Sequence, residues 1–197
     1  MLKAVLLIAV TVAYRLMPHP WNAVPMGAVA LYAGAKLPVR WAWIVPISAL
    51  VISDMLMDFG IGGAFFASNR ASEYHIYSRI AVYGAFALTT LIGPLANRPK
   101  VGPALLPVLS LAASGLLFLT SNFAVWAEGV MYPMNLAGLT ACYVAAIPFF
   151  DKTILADLIG TAVLFSLGAL AQHVYSLITA RRFTLADVAT VEDVVRS

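Results

Sequence analysis

Long apolar runs, set end to end and broken only by short polar or proline-rich pieces, decide most of what this chain can become. The run TILADLIGTAVLFSLGALA, from Thr153 to Ala171, holds a single charged group, Asp157. Inside hydrocarbon every backbone N–H and C=O must be bonded within its own segment or around a closed barrel. These runs lack the strict alternation of barrel strands, so helices are the remaining solution. With 62% hydrophobic and 11% charged residues the whole chain has the composition of a bilayer protein. Its 197 residues, at roughly 20 per span, accommodate about six transmembrane helices and no sizeable soluble domain. The expected fold is an all-α membrane protein, a six-helix transmembrane bundle.

Hydropathy and helix breakers set the spans at Leu2–Leu16, Ala23–Leu37, Ala42–Met57, Tyr74–Ala96, Gly102–Thr120 and Thr153–Thr179. A further apolar piece, Asn135–Phe150, is short, carries Pro148 and is framed by Pro133 and Asp151-Lys152. It reads as a re-entrant or interfacial helix before the last span. The first run reads as a retained span, because Tyr14 and Arg15 after Ala13 make a poor signal-cleavage context. Six spans place Lys3, Lys36, Arg40, Arg98, Lys100, Arg181 and Arg182 on one face and leave Arg15, Arg70, Arg79 and Lys152 for the other. That bias puts both termini of a multi-pass membrane protein in the cytoplasm. The domain division is then 1–180 for the transmembrane part and 181–197 for a short cytoplasmic tail helix, with Thr184 and Asp187 as a capping pair.

On this topology Arg15, Asp54, Arg79 and Asp157 fall in the outer third of the bundle, on four different helices. Intramembrane charges face one another or a cavity. Arg15 with Asp54 suits a structural ion pair; Arg79 and Asp157 either pair in the same way or orient a ligand. The outer segments add aromatic and amide groups. RLMPHPWN, Arg15 to Asn22, holds its chain extended through Pro18 and Pro20, so that His19, Trp21 and Asn22 would lie across the bundle mouth as a lid. Loop 59–73 is glycine-rich, Tyr74 and His75 follow it, and TSNFAVWAEGVMYPMN supplies Asn122, Trp126, Tyr132 and Asn135. Aromatic faces with a few amides and charges are what a small-molecule pocket requires.

The short first helix, the proline-rich loop and the block NAVPMGAVALYAGAKLPVRWAWIVPISALVISDML resemble the substrate-binding S components of energy-coupling factor vitamin transporters. The blocks RLxPHPxN, Ser53-Asp54 and TSNFAVW…MYPMNLAGLTACYVAAIPFF also resemble an uncharacterised bacterial membrane family over most of the chain. The S-component likeness implies a ligand site under the outer loops and docking on a transmembrane coupling subunit with ATPases through small residues on the first helix. Ala9 and Ala13 have that spacing, which permits close helix approach in lipid. A cobalt-ligating cysteine like that of solitary cobalamin-transporting members is missing at the start of a later helix, where His75 is the nearest substitute.

The leading expectation is a binding and transport subunit for a vitamin-like small organic molecule, energised by a separate partner if at all, since no G-x-x-x-x-G-K-[ST] stretch occurs. The alternatives are an outer-face membrane enzyme using His19 or His75 with a carboxylate, and a structural or assembly subunit. Scattered histidines at 19, 75 and 173 and one cysteine, Cys142, give no metal motif or nucleophile elbow, so neither catalysis nor a cofactor is expected. The modest charge of +3, without a basic cluster beyond Arg181-Arg182, makes the bilayer rather than nucleic acid the partner.

Overall fold

A computed structural model describes residues 1–19, 23–59, 76–98 and 102–196. Its helices are α1 (Leu2–Leu16), α2 (Met26–Lys36), α3 (Val39–Asp58), α4 (Ile76–Ile92), which continues into a 3-10 turn (Gly93–Asn97), α5 (Gly102–Ala127) and α6 (Leu136–Arg196). The described part is therefore all-α. It divides into two compact units, Met1–Ala162 and the remainder from Val163.

Four stretches are long and apolar enough to cross a membrane: Val39–Asp58, Tyr77–Asn97, Ala104–Ala127 and Leu136–Ala180. Their exposed side chains include Val51, Ile52, Leu88, Leu91, Leu111, Leu119, Leu155 and Ile159, an apolar surface suited to lipid. In the second unit Leu167, Leu170, Val174 and Leu177 are likewise exposed. By helix length and composition this is a multi-pass membrane protein in contact with the bilayer.

One span drawn from hydropathy is corrected, and so is the short apolar piece before the last span. The run 23–37 yields only α2, 11 residues or about 16 Å of helix, half the hydrocarbon thickness of about 30 Å. Every residue from Met26 to Leu31 is buried, and so is Ala33. Its apolar character serves contact with protein on all sides. Small residues make this possible: a side chain at Gly34 would strike the Thr90 carbonyl, and one at Gly93 the Leu31 carbonyl.

The second correction concerns Asn135–Phe150, which is no separate re-entrant or interfacial helix. From Leu136 it belongs to α6, which passes through Pro148 without a break. Proline removes one ladder bond and strains its neighbours, yet the flanking turns stay helical. Asp151 and Lys152 stand exposed on the helix surface and need not end it.

The level of α2 follows from its contacts. Lys36, in its last turn, donates to Asn97 Oδ1 at 2.8 Å, beside the end of the 3-10 turn. Met26, in its first turn, packs with Ala49 and Leu50 of α3 and Phe86 of α4, about midway along α3. The helix thus starts in the middle of the first unit, and the chain between α1 and α2 is non-helical on its described parts. Irregular backbone at membrane depth is tolerated only inside protein or beside a cavity.

Candidate functional site

The unsatisfied N–H groups at the start of α2 need acceptors, and Pro25 at the N-cap position has no side-chain acceptor to offer. Asp157 provides it from α6. Its Oδ1 accepts from Ala28 N at 3.2 Å, and its Oδ2 accepts from Ser114 Oγ of α5 at 2.7 Å. The residue is 1% exposed. Gly27 is required here because a Cβ would collide with the carboxyl group, and Gly160 because a Cβ would meet Pro25. One turn further along α6, Thr161 donates to Ser110 Oγ at 3.3 Å. Thr153, Asp157 and Thr161, all buried, recur every four residues and so share one face of α6, two of them bonded to Ser114 and Ser110.

Asp157 thus lies mid-bundle, in place of the outer level expected for it. The reason is the continuity of α6: counted from Leu136, Asp157 is about six turns into the helix. It does not meet Arg79.

Toward the other end of the first unit, α1 and α3 are joined by Arg15 Nη2 donating to Asp54 Oδ1 at 2.7 Å. Tyr83 of α4 donates to Asp54 Oδ2, also at 2.7 Å, so both carboxylate oxygens are engaged. Arg79 forms a fork with Asp58, Nη1 to Oδ2 at 2.9 Å and Nη2 to Oδ1 at 2.8 Å. The first pair is largely enclosed, with side chains 16% and 13% exposed; the second, at 34% and 38%, is wetted.

Between these two levels lies a cavity of about 620 Å³, within the range of drug-sized ligand sites. Met26, Leu50 and Phe86 line it from α2, α3 and α4; Leu117, Phe118, Phe149 and Phe150 line it from α5 and α6. The Phe118 and Phe150 rings stand 4.4 Å apart between centroids. Its polar lining comprises Arg15, His19, Ser121, Asn122, Tyr132, Cys142 and Thr153. The His19 ring stacks parallel to Tyr14 at 5.7 Å, Asn122 Nδ2 donates to Phe118 O at 2.7 Å, and Cys142 Sγ donates to Asn122 O at 3.3 Å.

Of the residues expected in a ligand site, His19, Asn122 and Tyr132 line this cavity. Arg15, expected only in an ion pair with Asp54, lines it as well. Arg79, Trp126, Asn135 and Asp157 are absent from its lining. Trp126 Nε1 donates to Pro133 O at 3.0 Å, and Asn135 Oδ1 accepts from Gly138 N at 2.8 Å, capping α6. Trp21, Asn22, Tyr74, His75 and loop 60–73 lie outside the described residues, and the lid with them. Ala9 and Ala13 are exposed on α1. No group of three or more His, Cys, Asp or Glu stands together among the described residues.

The sequence reading missed the Ser110, Ser114 and Thr161 seam, the Tyr83 bond and the apolar wall Phe118, Phe149 and Phe150. Hydroxyl residues at four-residue spacing inside apolar runs were the available signal. No curated protein and no solved structure matches the chain. The family comparison does: residues 1–181 match the model of a family of unknown function, DUF6580, so that the chain belongs to this family.

Proposed function

We propose that the protein is an integral membrane subunit that binds a small organic molecule of vitamin-like size from the outer face and hands it across the bilayer, energised by a separate partner if at all. The observation that carries this reading is the 620 Å³ cavity, walled by aromatic and aliphatic side chains with polar groups of α1, α5 and α6 converging on it. A half-length helix ending beneath that cavity supports it too, since broken helices at membrane depth commonly frame transport sites. On this reading the Lys36 and Asn97 end faces the cytoplasm with both termini, the membrane is the bacterial inner membrane, and exposed Ala9 and Ala13 are a docking surface for a coupling subunit, as the likeness to S components suggests.

The test is native mass spectrometry of the detergent-purified protein beside Ala146→Trp, which places an indole in the cavity. A small molecule bound in equal ratio to the wild type and absent from the variant supports the reading. No adduct from any expression medium, with identical spectra for both proteins, contradicts it.

A further inference from the structure

The cavity is polar in a particular way: among the described residues it offers donors and acceptors but no permanent charge that lacks a counter-charge. Among the described residues Arg15 is the one lining residue with a permanent charge, and Asp54 neutralises it at 2.7 Å. Asp54 and Asp157 are themselves outside the lining, and so are Asp58, Arg79 and Glu128. Arg79 is matched by Asp58. Glu128 accepts from Ser78 N and Ser78 Oγ, both at 2.9 Å, at the start of α4. Asp151 and Lys152 are exposed on α6.

Hydrogen-bonding capacity is nonetheless left over. Guanidinium has five N–H donors, and the bond to Asp54 uses one of them through Nη2. Asn122 spends a donor on Phe118 O, which leaves its Oδ1 as acceptor. Ser121 donates to Leu117 O at 2.7 Å and keeps oxygen lone pairs. A fully charged ligand head would meet no free counter-charge among the described lining residues, a costly transfer into an apolar cavity.

Resting on the reading above, and deepening it, we propose that the cavity selects an uncharged, largely apolar molecule whose head carries a carbonyl-type acceptor for Arg15 and an N–H or O–H donor for Asn122. The apolar body lies against Met26, Phe86, Phe118 and Phe150. The ion pair with Asp54 is what makes the site neutral, so Asp54 is a specificity-determining residue although it lines no part of the cavity.

Matched probes test this: primary amide, carboxylate and ammonium versions of phenylbutyl, decyl and indolylpropyl skeletons, titrated against the full chain in detergent at about pH 8, where the carboxylate and ammonium heads are charged. The amide of at least one skeleton is expected to bind about tenfold more tightly than its carboxylate and its ammonium partner, the penalty of burying an unmatched charge. In Asp54→Asn, where Arg15 loses its counter-charge, the carboxylate should gain about tenfold on the amide. Carboxylate or ammonium preferred by the wild type, or all heads equal, overturns the proposal and leaves the pocket reading standing. Binding by none of the probes overturns both. If Asp54→Asn does not fold, the wild-type ranking alone decides.

Discussion

Asp157 of α6 accepts the backbone N–H of Ala28 in the first turn of α2, joining residues 129 positions apart in sequence. A helix that begins inside a membrane bundle has no water to satisfy its first N–H groups, and this carboxylate takes over that role. The carboxyl group also lies at the positive end of the α2 dipole, where an acceptor is favoured. Asp157→Ala should destabilise the protein by about 1–3 kcal/mol, from a lost cap and an orphaned Ser114 hydroxyl. Asp157→Asn keeps an acceptor and should fall less. Thermal denaturation in detergent reads both; an alanine variant as stable as wild type would contradict the capping role.

The glycine beside the carboxylate makes a sharper case. Gly27→Ala places a methyl against the Asp157 carboxyl and should lower the melting temperature, overpacking of this kind costing about 1–3 kcal/mol. Combined with Asp157→Ala, the loss should be clearly less than the sum, because both changes act on one contact. Strict additivity in the double variant counts against the contact.

The two ion pairs should behave differently. Removing one partner of an enclosed pair leaves the other charge unmatched, at about 3–5 kcal/mol for full burial, so Arg15→Gln should destabilise by a little less than this. The Arg79 and Asp58 fork is half open to solvent, and such pairs contribute about 0–1 kcal/mol. Arg79→Gln should therefore melt within a few degrees of wild type. Equal losses in the two variants would show that the difference in enclosure is not expressed in stability.

Much of this was readable from residues, and the rest failed for definite reasons. Arg15 and Asp54 could be matched in depth because Pro18 and the glycine-rich segment after Asp58 fix the ends of their helices closely. The level of α2 could not, since hydropathy scores a side chain alike whether its neighbours are lipid or protein. Its crowding of Gly27, Ala28, Ala30, Ala33 and Gly34 was the hint that backbones approach from every side. Pro148 and the Asp151-Lys152 pair set Asn135–Phe150 apart from the last span in the sequence, although a proline inside a long membrane helix can be carried by its flanking turns. The position of Asp157 went wrong as a direct consequence.

The orientation in the membrane remains tied to the charge bias, and Lys36 and Asn97 meet at one end of the first unit. Single cysteines at Lys36 and Arg98, in a Cys142→Ala background, should both resist an impermeant maleimide in intact cells and react after permeabilisation. Labelling of either from outside would reverse the proposed topology.

Cys142 gives the most direct measurement of all. It is the chain's single cysteine, 2% exposed, and it lines the cavity, so its thiol reports on that space without any mutation. The reaction of Cys142 with methyl methanethiosulfonate should be followed by intact-mass analysis, with and without the small molecule recovered from the purified protein. The account predicts slowing by about tenfold at saturating ligand, an occupancy of about 90%. An unchanged rate under conditions where that molecule demonstrably binds would place it outside the cavity and contradict the central claim.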